Sequence, residues 1–104
     1  SAAPQAISAE PLMDQISCTV EIEGREVRLS TTEFRLLECL LQNRGRVVNR
    51  EDLSSHVWGG RARELSETSL NLCVYNLRNK IEEHPGQPEH ILTRWGIGYY
   101  WADR

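Results

Sequence analysis

Long apolar runs are missing from this chain of 104 residues. None approaches the roughly 18 residues that a membrane-spanning helix needs, and no signal-peptide pattern is read, so no membrane association is expected. Cysteine is scarce, and its number is odd. Cys18, Cys39 and Cys73 are scattered along the chain, which fits small apolar side chains buried in a reducing, cytoplasmic setting better than a disulfide framework. His56, His84 and His90 form no ligand spacing with them, so neither a metal nor another cofactor is expected. A phosphate-cradling glycine loop and a nucleophile–base pair are also missing. The only Gly-x-Gly, Gly96-Ile97-Gly98, lies in a terminal hairpin instead of opening a helix. An enzyme is therefore not expected.

Positive charge is short as well. The formal net charge is −3, which argues mildly against a nucleic-acid partner. Its distribution matters more than its sum. Residues 1–29 hold Glu10, Asp14, Glu21, Glu23 and Glu26 against Arg25 and Arg28, and acids and bases balance over the rest. The acidity belongs to the N-terminal segment, and a basic strip elsewhere stays open.

What is present fits one α+β domain, with 39% hydrophobic and 26% charged residues. Residues 1–11, opening "SAAPQA", read as linker or a cloning remnant, and residues 12–104 as the domain. From Leu12 to Leu29 the alternation of Val20 and Ile22, a turn at Glu23-Gly24-Arg25, then Val27 and Leu29 predicts a small antiparallel sheet with an acidic outer face. Three helices follow. Ser30 and Glu33 make a capping box, Leu29 and Phe34 a staple, and Phe34, Leu37, Leu40 and Leu41 repeat at helical spacing. Asn49 caps a short helix that ends at Trp58-Gly59-Gly60. Ser66, with Leu65 stapling to Leu70, opens a third helix that runs to about Glu83, before His84-Pro85-Gly86. Strands near Ile91–Arg94 and Tyr99–Trp101 close the chain, with Gly96 and Gly98 expected to supply the positive φ of the turn between them. Short helix, loop, long helix and hairpin is the order of a winged helix-turn-helix.

At 100° per residue, Leu70, Val74, Leu77 and Ile81 form the core stripe of the long helix, bordered by Cys73. The opposite face collects Thr68, Leu72, Tyr75, Asn76 and Asn79, with Arg78 and Lys80 on the flanks. One reading is a solvated surface. The other is a recognition surface: Asn pairs with adenine, an apolar side chain meets a thymine methyl, and the cations meet phosphates. Leu72 favours recognition, because a leucine opposite the core stripe has no folding role there. Protein–protein contact explains it equally well.

The stretches "LSTTEFRLLECLLQNRGRVVNREDLSSHVWG", "LNLCVYNLRNKIEEHP" and "ILTRWGIGYYW", in this order, resemble the C-terminal effector domain of OmpR/PhoB-type response regulators over about residues 15–102. The resemblance implies a four-stranded N-terminal sheet, three helices and a C-terminal wing. It implies a bacterial transcription regulator, working as a homodimer on tandem or inverted half-sites of double-stranded DNA, usually behind a phosphoacceptor receiver. The third helix would enter the major groove and the wing the adjacent minor groove, and loop 59–65 would approach RNA polymerase or a neighbouring protomer.

The helix face and the positions carried over together give the expected DNA-binding residues: Thr68, Leu72, Tyr75, Asn76, Arg78, Asn79, Lys80, Thr93, Arg94, Trp95 and Trp58. Several depart from the family pattern. Thr68 stands where an arginine is frequent, Asn71 where an acid is, Cys73 where a histidine is, and Tyr75 and Asn76 where bases are common. Trp58 matches a tryptophan that is either core or a phosphate-side contact. Trp95 replaces the arginine expected just before the first wing glycine. It is either a packing residue that leaves Arg94 to reach DNA, the reading preferred from sequence, or an apolar contact to the sugars. Fewer cations imply weaker salt dependence. A protein-interaction module on the same scaffold, with weak or no DNA binding, is the alternative function, motivated by the neutral helix face and acidic sheet.

Overall fold

The computed structural model describes residues 11–64 and 67–102, with backbone only at residues 62–64 and 67. Strands β1 (Leu12–Asp14), β2 (Thr19–Ile22) and β3 (Arg25–Arg28) form an antiparallel meander, with Val20 opposite Met13 and Val27. The β2–β3 loop is the two-residue Glu23-Gly24, both at positive φ (51° and 78°). That is the turn whose twist suits a hairpin. Val20 and Ile22 face the core, and Glu21 and Glu26 pair on the outer, acidic face. Among the described residues this sheet has three strands, one fewer than the resemblance implies.

Helix α1 (Thr31–Gln42) starts as its sequence dictates. Ser30 Oγ accepts the Glu33 N–H at 3.2 Å, and Glu33 Oε1 accepts the Ser30 N–H at 2.9 Å. Phe34, Leu36, Leu37, Cys39 and Leu40 are buried. Strand β4 (Val48–Asn49) precedes α2 (Arg50–Trp58), whose N-cap Asn49 accepts the Asp52 N–H at 2.7 Å. A 3₁₀ segment, Gly59–Glu64, leads toward α3 (Glu67–Ile81). The expected cap and staple at Ser66 and Leu65 lie outside the described residues. Helix α3 ends at Ile81, two residues before the expected Glu83. Strands β5 (Ile91–Arg94) and β6 (Gly98–Trp101) then form the hairpin.

The core stripe of α3 is as the periodicity predicts: Leu70, Val74, Leu77 and Ile81 are at most 1% exposed, against Leu37, Leu40, Leu53 and Ile91 in the same cluster. Each such side chain contributes roughly 1.5–3 kcal/mol by leaving water. No sulfur bridge assists, since all three cysteines are free thiols.

One strand was not expected from sequence. Val48 and Asn49 pair with Tyr99 and Gly98, so the hairpin is part of a three-stranded sheet of order β4–β6–β5. This changes the account of Gly98. Only Gly96 has positive φ (82°) in the wing turn. Gly98 is needed for another reason, because a Cβ there would collide with the Val48 carbonyl oxygen.

Candidate nucleic-acid interface

The long helix presents a face that the protein core does not use. Thr68, Asn71 and Asn79 are exposed, Leu72 is 54% and Tyr75 62% exposed, and Asn76 is half-buried. Two apolar side chains of this size on one solvent-facing surface gain nothing for folding, and such patches mark contact surfaces.

The wing stands beside this helix. Its turn is closed by the Ile97 N–H donating to Arg94 O at 2.9 Å, with Gly96 at the left-handed third position, the pattern of a type II turn. Trp95 occupies the outer corner and is 88% exposed, with Ile97 50% exposed and Arg94 also in solvent. This corrects the preferred expectation that Trp95 is a packing residue. At the second position of the turn, the backbone carries the indole out past the sheet, with no core face to return to. The alternation beyond the turn is as expected: Tyr99 and Trp101 are buried and Tyr100 is half-buried.

Between α3 and the wing runs an open groove of about 680 Å³, with Tyr75, Arg78 and Asn79 on the helix side, Thr93 and Trp95 on the wing side, and Tyr99 at its floor. A smaller hollow of about 280 Å³ continues it to the wing tip, past Arg50, Asn71 and Ile97. Tyr99 holds these walls together. Its hydroxyl donates to Asn71 Oδ1 at 3.4 Å and accepts from Arg50 Nη1 at 3.2 Å. The guanidinium carbons of Arg50 and Arg78 lie 5.9 and 5.7 Å from its ring centre, within cation–π range. Helix α2, helix α3 and the wing therefore meet on one phenol.

Two cations of the expected site are engaged by the protein itself. Arg78 Nε and Nη2 donate to Ile91 O at 3.1 and 2.9 Å, and Nη2 donates to Thr93 Oγ1 at 2.8 Å. Burial lowers its pKa, against the opposing influence of Tyr99 and Glu82. Lys80 Nζ sits 2.7 Å from Glu33 Oε1, turned toward the N-terminus of α1. Burial by itself would raise the Glu33 carboxyl. The hydrogen bonds from Lys80 and the Ser30 N–H, with the lysine charge, outweigh it and hold Glu33 below its ordinary value of 4.5. In the free domain both expected cations thus also hold the fold together, Arg78 through β5 and Lys80 through Glu33. Trp58 is half-buried and packs on the core cluster.

The groove thus brings together Tyr75, Arg78, Asn79, Thr93 and Trp95, with Thr68 and Leu72 on the adjoining outer face of α3. Lys80 and Trp58 are not part of it. Sequence reasoning missed Asn71, Arg50 and the pivot role of Tyr99. An aromatic with a hydroxyl on the buried face of the return strand is the signal that a polar partner must exist, since buried tyrosine hydroxyls usually find one. It also missed Glu82, which is buried and whose carboxylate accepts the N–H groups of Glu89, His90 and Ile91 at 2.8–3.3 Å, fixing the loop that leads into β5.

Comparison with known proteins agrees with the fold. Residues 24–101 match the family described as transcriptional regulatory protein, C terminal. The chain is 39% identical over 97 residues to the KDP operon transcriptional regulatory protein KdpE of Escherichia coli K12, covering 86% of this chain and 43% of that protein. It thus spans less than half the length of the curated relatives it matches. Among solved structures it is similar to the response regulator DrrB of Thermotoga maritima, an OmpR/PhoB homologue, with a TM-score of 0.78 and 30% identity over 92% of this chain and 43% of that one. It is also similar to the DNA-binding domain of Klebsiella pneumoniae RstA in complex with the RstA box, with a TM-score of 0.75 and 26% identity over 88% of this chain and 90% of that one.

Proposed function

This chain belongs to the family of C-terminal domains of transcriptional regulatory proteins, the effector domains of OmpR/PhoB-type response regulators, and on that premise we propose how it binds double-stranded DNA. Helix α3 lies in the major groove with Thr68, Leu72, Tyr75 and Asn79 toward the base edges. The wing reaches the neighbouring minor groove through Arg94 and Trp95. The sugar–phosphate strand that separates the two grooves runs between Tyr75 and Trp95. The observation that carries this reading is the continuity of the exposed α3 face with the wing tip across one open groove. Asparagine and apolar side chains at base edges favour A·T-containing sites, through adenine N6/N7 and the thymine methyl.

Selection of bound duplexes from a random DNA library tests the reading. The native chain should enrich a defined half-site. The double variant Leu72→Ala, Asn79→Ala should bind the enriched duplex at least about tenfold more weakly, as expected for lost base contacts, with its thermal midpoint unchanged. Enrichment of the same sequences at equal affinity by that variant would remove α3 as the reader. The same exposed Leu72 and Tyr75 favour a second reading, a protein-interaction module, and failure of the native chain to enrich any sequence would select it.

Three finer parts of the proposal follow from the same family. Two copies bind adjacent half-sites as a homodimer. The exposed Gly59, Gly60 and Arg61, at the start of the 3₁₀ segment, approach RNA polymerase or the neighbouring copy. The whole protein works in the cytoplasm; no helix among the described residues is long and apolar enough to cross a membrane.

A further inference from the structure

We infer that the wing tip is an apolar wedge that opens a base step in the minor groove and kinks the DNA there. The inference rests on the proposed DNA binding and goes beyond it by assigning a deformation to Trp95 and Ile97. Trp95 is 88% exposed and Ile97 50%, on the two sides of the left-handed Gly96. A tip built to lie along phosphates would carry cations; this one carries an indole and a branched alkyl group, with Arg94 one step behind to meet the backbone. The minor groove is only about 6 Å wide. Two apolar side chains at its mouth leave water most completely by widening it and entering between bases, further than a contact to the sugars alone would take them, which is how apolar wedges act in minor-groove architectural proteins.

A wedge must be mounted stiffly, or it folds back instead of opening the stack. The wing is mounted in this way. Its base is a three-stranded sheet, because β4 pairs with β6 through the close approach that Gly98 permits. The tip is tied from both sides: the Ile97 N–H donates to Arg94 O at 2.9 Å, and Ile97 O accepts the Arg50 N–H at 3.2 Å, anchoring it to the start of α2. The far end is held by the Gly45 N–H to Trp101 O at 3.0 Å and the Ala102 N–H to His90 O at 2.8 Å. The DNA has a matching preference. Pyrimidine–purine steps unstack most easily, so a step such as TA should recur at a fixed offset from the half-site that α3 reads.

The test uses the native chain, Trp95→Ala and Trp95→Arg with the duplexes that the native chain enriches from a random library. Bending is read by energy transfer between dyes at the duplex ends. The native chain should bend the duplex, and Trp95→Ala should lose most of the bend and bind about tenfold more weakly, on the scale of a contact hot spot. Trp95→Arg should recover affinity by adding a phosphate contact, seen as a salt slope steeper by about 0.9, without recovering the bend. Thermal midpoints should agree across all three, since an exposed tip contributes little to stability. A native chain that binds without bending, or a Trp95→Ala variant that bends as the native chain does, overturns the wedge and leaves the proposed DNA binding standing. Enrichment of no sequence by the native chain overturns both.

Discussion

The guanidinium of Arg78 is engaged before any DNA arrives, by Ile91 O, Thr93 Oγ1 and the ring of Tyr99. Removing it leaves a buried carbonyl without its donors. Arg78→Ala should therefore destabilise the domain by about 2–3 kcal/mol, the range for hydrogen bonds from charged donors, and lower its thermal midpoint by roughly 10 °C for a domain of this size. A circular-dichroism melt within 2 °C or so of the native one would contradict this role. The cysteines give a second test at this scale. Burial pushes the Cys73 thiol up to about 11, with Glu33 adding to the shift and Thr32 opposing it. Burial also raises Cys39, helped by Asp52 and Glu38. Thiols held protonated are poor nucleophiles, so alkylation of the native protein near pH 8 should mark the half-exposed Cys18 and spare Cys39 and Cys73. Mass spectrometry of digested, labelled protein reads this, and labelling of Cys73 at the rate of Cys18 would be inconsistent with it. Single-residue roles were the least legible part of the sequence. Helical phase correctly placed Leu72 and Tyr75 outside, because phase depends only on spacing. It could not say that Arg78 and Lys80 are held by groups 13 to 47 residues away.

Elements depend on such long-range ties as much as on their own signals. The capping box of α1 is local and was readable as Ser30-x-x-Glu33, but Glu33 also receives Lys80 from α3. One carboxylate therefore caps one helix and docks another. Its pKa in the folded state lies below the ordinary 4.5. Between those two values the unfolded chain binds more protons, so stability rises with pH across that window. The contribution is complete above about 4.5 and is lost as pH falls through the folded value. Glu33→Gln should be about 1–3 kcal/mol less stable than native at pH 7, where a charged hydrogen bond is removed, and the gap should close as pH approaches 3. Denaturant melts across that range measure it, and a gap that widens in acid would reverse the assignment. Strand β4 shows where element reading stops. Asn49 reads as the cap of α2, and it is; the pairing of Val48-Asn49 to β6 exists only because Gly98 admits the backbone. A two-residue strand has no periodicity to detect.

For the whole molecule the order of elements was legible, because α1 and α2 bring their own caps, α3 its apolar phase and the hairpin its own glycines. Those signals act within a few residues of one another. The groove between α3 and the wing was not, since it arises from how Tyr99 sets distant walls against Asn71, Arg50 and Arg78. Charge at this scale bears on the mode of binding. The net charge is −3, the sheet carries exposed acids, and Arg78 and Lys80 make their contacts within the protein. What the α3 face and wing tip expose is mainly Leu72, Tyr75, Asn79 and Trp95, with Arg94 as an exposed cation. The central claim is that this domain binds its site chiefly through apolar and polar contacts and releases few counterions. The most direct test is the slope of log affinity against log salt concentration for the duplex that the native chain enriches. Each neutralised phosphate contributes about 0.9 to that slope. The account predicts a slope no steeper than about −4; a slope of about −5.4 or steeper, the value for six or more phosphates, would contradict it.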